Sequence, residues 1–238
     1  MSEYGLKIVN DSSSTVIDSV YQNFQLHDSG SVSLSNPAGV SSTPITVNFS
    51  SPTVGIPMVV FTNSSSSVYC GVVSYVVSGS NCTGFTAICR LGYSTTLYWK
   101  CFSKKNSTGS SDAYGVRIYS SSGNIVFDGG YRNLLIRETH SITLPAFNVG
   151  VTINHGTYDN PYYLIGDSGF GVVLIPIGYE RKGVQACNIG ILKQSANSVF
   201  LSYFPVFNAG VVQGPSDPGI EFFPTQMTFQ VLICEESN

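Results

Sequence analysis

The chain runs to 238 residues with 42% hydrophobic side chains, enough for one large β domain or two of ordinary size. Only 11% of residues are charged, and the net charge is -3 from 14 acids and 11 bases. With no block of like charges and no long apolar run, nucleic acid and membrane insertion are both excluded as expectations.

No stretch keeps a helical period free of Gly, Pro or β-branched runs, so the chain reads as all-β. Leu6 and Ile8, then Val16 and Ile17, flank the turn-rich NDSSS and predict a hairpin. Tyr21, Phe24 and Leu26 open a third strand, and Val32 to Leu34 a fourth. Pro37, Pro44 and Pro52 punctuate a loop-rich stretch in which ITVNF (45–49) alternates cleanly. MVVFT (58–62), a serine turn at 63–67 and VYCGVVSYVV (68–77) follow, the last apolar on both faces as a central strand should be. FTAICRL and TLYWKCF complete a first module over residues 1–104. The apolar-free segment at 105–113 reads as a linker.

From 114 to 238 the chain repeats itself. YGLKIVNDSSSTVIDSVYQNFQLHDSGSVSL (4–34) lies without gaps over YGVRIYSSSGNIVFDGGYRNLLIRETHSITL (114–144), with ten identities in thirty-one positions. Many other positions exchange like for like, Asp28 with Glu138 among them. Two tandem copies of one β-sandwich or barrel-like module are expected. SSSGN (120–124) replaces NDSSS as the hairpin turn, with Gly-Asn to supply positive φ. NPYYLIG (160–166) answers IPMVVFT, FGVVLIPI (170–177) answers YCGVVSYV, and SVFLSYF (198–204) answers TLYWKCF. An addition from Pro205 to Phe223 leads to a last strand, MTFQVLIC (227–234), which is the other candidate counterpart of TLYWKCF.

Six positions recur at the hairpin exits: Asp18, Tyr21 and Asn23, matched by Asp128, Tyr131 and Asn133. Turn chemistry accounts for them, an Asx-type cap with a tyrosine packed over it. The functional account of the same residues is a cation or sugar site. Aromatics concentrate in the second copy, and Tyr162, Tyr163, Phe207, Phe222 and Phe223 are candidates for a binding surface. The other aromatics are expected in the core.

Catalytic and metal chemistry find few residues. GDSG (166–169) matches the nucleophile signature of trypsin-like proteases. The continuation Phe170-Gly171 departs from that signature, and none of His27, His140 and His155 sits in an Ala-Ala-His-Cys context. The first copy places Asn63–Ser66 in the same slot, expected to be a hairpin turn, so turn chemistry explains these residues as well. Scattered histidines and the spacing of Cys70, Cys82, Cys89, Cys101, Cys187 and Cys234 give no metal-ligand set. No cofactor, metal or catalytic residue is therefore expected. The opening MSEYGLKIVN has no basic n-region or apolar h-region, so cytosolic synthesis and free thiols are expected.

The Tyr-Gly-hydrophobic-basic-Ile opening, a Ser/Gly hairpin, an aspartate and then Tyr-x-Asn occur at Tyr4 to Leu26 and again at Tyr114 to Ile136. This line resembles small tail-associated structural proteins of tailed bacteriophages. The resemblance implies a non-enzymatic virion component of a tail, tail tip or baseplate, made in the host cytoplasm. Its implied partners are copies of itself and other tail proteins, with the host cell surface as the alternative, through a receptor- or glycan-binding role.

Overall fold

The computed structural model describes residues 7–9, 15–18, 23–37, 44–104, 116–120, 122–144, 150–165, 171–176, 181–213 and 227–236. For 7–9, 15–18, 171–176, 181–188, 205–213, 227 and 229 the description is of the backbone alone. Every regular element among them is a strand. Two short hairpins, β1 (Lys7–Val9) with β2 (Thr15–Asp18) and β9 (Arg117–Tyr119) with β10 (Ile125–Asp128), stand at matching places in the two copies. In the second, Gly123 takes a φ of 81° and its N–H donates to the Ser120 carbonyl at 2.9 Å, the left-handed turn that Gly-Asn predicts.

The other strands form two antiparallel sheets that pack face to face without closing into a barrel. One sheet is ordered β11 (Leu134–Leu144), β17 (Met227–Glu236), β13 (Tyr162–Ile165), β5 (Met58–Asn63), β8 (Tyr93–Lys104) and β3 (Phe24–Asn36). The other is ordered β12 (Val151–Asn154), β16 (Ser198–Gln213), β15 (Arg181–Ser195), β6 (Cys70–Ser78), β7 (Asn81–Cys89) and β4 (Ile45–Val54), with β14 (Gly171–Pro176) laid on β15. Within each copy the outer strands pair with one another, β3 with β8 and β4 with β7, a nested order related to the jelly roll.

Each half supplies three strands to each of these orders, and the halves meet edge to edge at the centre. β5 meets β13 through Phe61 and Tyr163, and β6 meets β15 through Cys70 and Ile191. An antiparallel central pair is what a two-fold axis normal to the sheets demands. The registers place that axis between Val60 and Leu164 in one sheet and between Gly71 and Gly190 in the other. One core spans both halves, holding Phe61, Leu97 and Trp99 with Tyr163, Leu201 and Ile233.

The six-stranded sheet carries a second core on its opposite face, where Val60, Phe102 and Cys234 are buried among Phe24, Leu26, Leu134 and Leu164. Two matching β-bulges let the edge strands serve both cores. β3 slips register between Leu26 and Asp28, and β11 between Ile136 and Glu138. Ahead of the slip, Phe24 and Leu26 face the second core; beyond it, Val32 and Leu34 face the first. The starts of the two edge strands meet, with a bridge between Gln25 and Asn133 and the Leu26 N–H donating to the Arg132 carbonyl at 2.7 Å.

Register corrects several expectations. The third and fourth strands of the sequence reading are one strand, β3, bent by its bulge. The serine segment at 63–67 is no hairpin turn, since β5 and β6 lie in different sheets. SVFLSYF does not answer TLYWKCF: Asn154 faces Ser198 as Asn48 faces Gly84, which puts SVFLSYF on GFTAICR. MTFQVLIC takes the TLYWKCF place, because Cys234 faces Ile136 as Phe102 faces Leu26. FGVVLIPI does not take the YCGVVSYV place either. Ile189-Gly190-Ile191 does, and β14 with the outer halves of β15 and β16 lies outside the repeated frame. Residues 105–113 lie outside the described residues.

Candidate functional site

Asp128 closes β10 with its side chain buried. Its Oδ1 accepts the Gly130 N–H at 2.9 Å, an Asx turn, and its Oδ2 accepts from Arg117 Nε at 2.9 Å. The Tyr131 N–H donates to the Asp128 carbonyl, and Asn133 Nδ2 donates to the Tyr131 carbonyl at 2.9 Å. These contacts use the aspartate, tyrosine and asparagine to shape a turn. In the first copy Asp18 ends β2 opposite Lys7, and the Asn23 N–H donates to the Val126 carbonyl at 3.0 Å. The first copy's turn exit is thus stitched to the second copy's hairpin. Tyr21 lies outside the described residues, as does the side chain of Asp18.

A second set of titratable groups sits at the bulges. In β3 the Asp28 carboxylate accepts N–H groups from Ser29 at 2.8 Å and from Ser50 of β4 at 2.6 Å. In β11 the Glu138 carboxylate does the matching job, accepting the Gly156 N–H at 2.8 Å just beyond β12. Each acid ties an edge strand of one sheet to the edge strand of the other. Glu138 also accepts from Tyr158 Oη at 2.6 Å and pairs with His140 Nε2 at 2.8 Å. The Gly156 N–H first, and then the Tyr158 hydroxyl, lower its pKa to about 2. His155 stacks on Tyr158 with ring centroids 5.7 Å apart.

The tautomer of His155 follows from its partners. Its Nδ1 lies 2.7 Å from the Gly156 carbonyl, which only accepts, so Nδ1 carries the proton. Nε2 then accepts the Tyr163 hydroxyl at 3.0 Å. Burial raises the Tyr163 pKa to about 12, which keeps that donor protonated. The cluster is an ordered network in which every hydrogen bond has a donor and an acceptor, and its visible task is to lock β11, β12 and β13 together.

His27 Nε2 lies 2.7 Å from the Ser51 carbonyl and so donates there; it has no lone pair for the Ser51 hydroxyl 3.4 Å away. The neighbouring Asp28 is committed to backbone N–H groups. This serine, histidine and aspartate therefore lack the proton relay of a hydrolase. GDSG at 166–169 lies outside the described residues. Among the described residues no group of three or more His, Cys, Asp or Glu is placed to hold a metal ion.

The aromatics expected at a binding surface part company. Tyr163 is fully buried, because its inward place on β13 points it into the shared core, and it is not displayed as expected. Tyr162 faces the opposite way, half-buried, with Lys100 Nζ 4.4 Å above its ring. Phe207 is placed on β16 opposite Ala186 by backbone only, and Phe222 and Phe223 lie outside the described residues. The large side chains that are exposed include Val54, Ile56, Val77, Tyr93, Tyr98, Val116, Tyr119 and Ile136. Strand alternation around Leu97 and Trp99 was the sequence signal for Tyr98 facing outward.

Cys70, Cys82, Cys89, Cys101 and Cys234 are buried free thiols. Burial raises the pKa of Cys89 to about 11 and of Cys234 to about 12, and pushes Cys70 and Cys101 higher still, so these four are not poised as thiolates. No family model matches the chain, nor does any curated protein or solved structure.

Proposed function

We propose that the chain is a non-enzymatic structural component of a bacteriophage tail or tail tip, working by protein–protein assembly. The duplicated Tyr-Gly opening and Tyr-x-Asn line supplies the viral part of the reading. The observation that carries the assembly part is the state of the seven-stranded sheet's edges. β4 and β12 are its outer strands, and neither contains a Lys, Arg, Asp or Glu. Open edges are sites for pairing with another chain, and monomeric proteins blunt them with charge, proline or bulges. β4 has Pro52 and a bulge between Asn48 and Thr53, but Ile45–Asn48 has neither device. Exposed Val54 and Ile56, at 67% and 64%, extend the same edge with apolar surface.

The test is the oligomeric state of the purified chain by light scattering, together with its co-sedimentation with phage particles. Oligomers and particle association are expected. Thr46→Lys and Thr152→Lys place charge on the two edges at exposed positions, and should abolish association while leaving the thermal melt intact. A monomer at all concentrations, absent from particles, overturns the reading. Labelling of Ser168 by a fluorophosphonate would favour hydrolase chemistry instead.

A further inference from the structure

An open cleft of about 510 Å³ lies where the crossing from β5 to β6 meets the turn from β15 to β16. That volume falls inside the ~300–1,000 Å³ of small-molecule sites. Its walls come from both copies, with Asn63 to Ser66 on one side, Lys193 to Ser195 on the other, and Tyr98 of β8 between. The pairing of Ile191 with Cys70 is what carries the end of β15 past the serine segment.

Three features distinguish this cleft from an ordinary surface dip. Asn63 is only 4% exposed, and its Nδ2 is fixed by donating to the Val68 carbonyl at 2.7 Å. The fixed amide leaves its buried Oδ1 with no donor from the protein. That oxygen has almost no accessible surface, so the Asn63 amide stiffens the wall and leaves contact to the exposed hydroxyls beside it. Tyr98 is 42% exposed on a strand whose neighbours Leu97 and Trp99 are buried, so an aromatic face is presented beside the polar wall. Lys193 is the one charged group of the lining, and it makes no ion pair among the described residues.

The serines are positioned rather than loose. Ser64 Oγ accepts the Thr96 N–H at 3.2 Å, and Ser195 Oγ lies 2.6 Å from Ser198 Oγ. Hydroxyls and amides that both donate and accept, one aromatic face and one ammonium describe a partner with many hydroxyls, a flat apolar face and a negative group. The geometry points to a binding cleft for an acidic saccharide, its ring stacked on Tyr98, its hydroxyls on Ser64, Ser66 and Ser195 and its carboxylate on Lys193. The cleft adjoins one edge assigned to assembly, since Thr152 of β12 donates to Gln194 of the lining at 3.4 Å; its own variants, at Tyr98 and Lys193, lie off that strand.

The test is saturation-transfer NMR and calorimetry on the full chain with the methyl glycosides of glucuronic acid, N-acetylneuraminic acid and glucose. Transfer to at least one acidic glycoside is expected. Tyr98→Ala should weaken it by about tenfold, the size of one lost stacking contact. Lys193→Gln should bring the acidic glycosides to the level of the neutral one, and Tyr93→Ala, at an exposed tyrosine elsewhere, should change nothing. Lys193→Gln keeps an unbranched polar side chain on β15 and serves alone should Tyr98→Ala fold poorly. No transfer from any of the three glycosides overturns the proposal, as does transfer that neither cleft variant alters.

Discussion

Glu138 shows how much one side chain can organise. Its carboxylate holds Gly156, Tyr158 and His140 at once, so replacing it with glutamine removes the charge from every one of those bonds. With the side chain about a quarter exposed, Glu138→Gln should cost about 1–2 kcal/mol at neutral pH. The folded-state pKa of about 2 lies below the ordinary 4.5, so the stabilisation is complete above the ordinary value. It is lost as pH falls through about 2. Urea melts of the two proteins should differ at pH 7 and converge in strong acid. Asp128→Ala should cost about 1–3 kcal/mol by thermal melt, since it frees the Gly130 N–H and removes the carboxylate that accepts from Arg117 Nε. At this scale the sequence was half legible. The aligned Asp28 and Glu138 were visible, but not their shared task, because their partners Ser50 and Gly156 come from a second repeated line. ITVNFS (45–50) over VTINHG (151–156) is that line, and it sets His155 in the place of Phe49.

At the level of the element, the bulges and the glycines at the axis decide the shape. The slip in β3 and in β11 turns alternate positions from one core to the other, whereas β5 feeds both by plain alternation, Val59 and Phe61 into one and Val60 into the other. Nothing in FQLHDSG announces a bulge, which is why β3 reads in sequence as two strands. The counterpart of TLYWKCF was hidden for a different reason. Aromatic content favours SVFLSYF, whereas pairing partners decide the place, and those are long-range. Gly190, at the axis, leaves no room for a side chain. A Cβ there would lie 2.4 Å from a Phe204 ring carbon and 2.5 Å from the Cys70 carbonyl oxygen. Gly190→Ala should therefore destabilise by about 3 kcal/mol, measured by urea titration, through forced separation of β6 and β15.

For the whole molecule, the all-β class and the duplication were legible because composition and a gapless alignment carry them. That the copies share both sheets was not, since no local pattern records which strand lies beside which. The shared core predicts one unfolding transition, read together by Trp99 fluorescence and far-UV dichroism. Residues 1–104 and 114–238 produced separately should each lack a cooperative melt, and mixing them should restore one. Separate melts for each piece would show that the seam contributes little. The seam also has a bearing on the origin and the hazards of the chain. Because its central strands pair across a two-fold, the first copy of one molecule can meet the second copy of another through the same hydrogen bonds. The fused chain thus has the arrangement of a two-fold dimer whose halves are joined. Reciprocal exchange of halves between neighbouring molecules would reuse the pairings of the seam without new contacts.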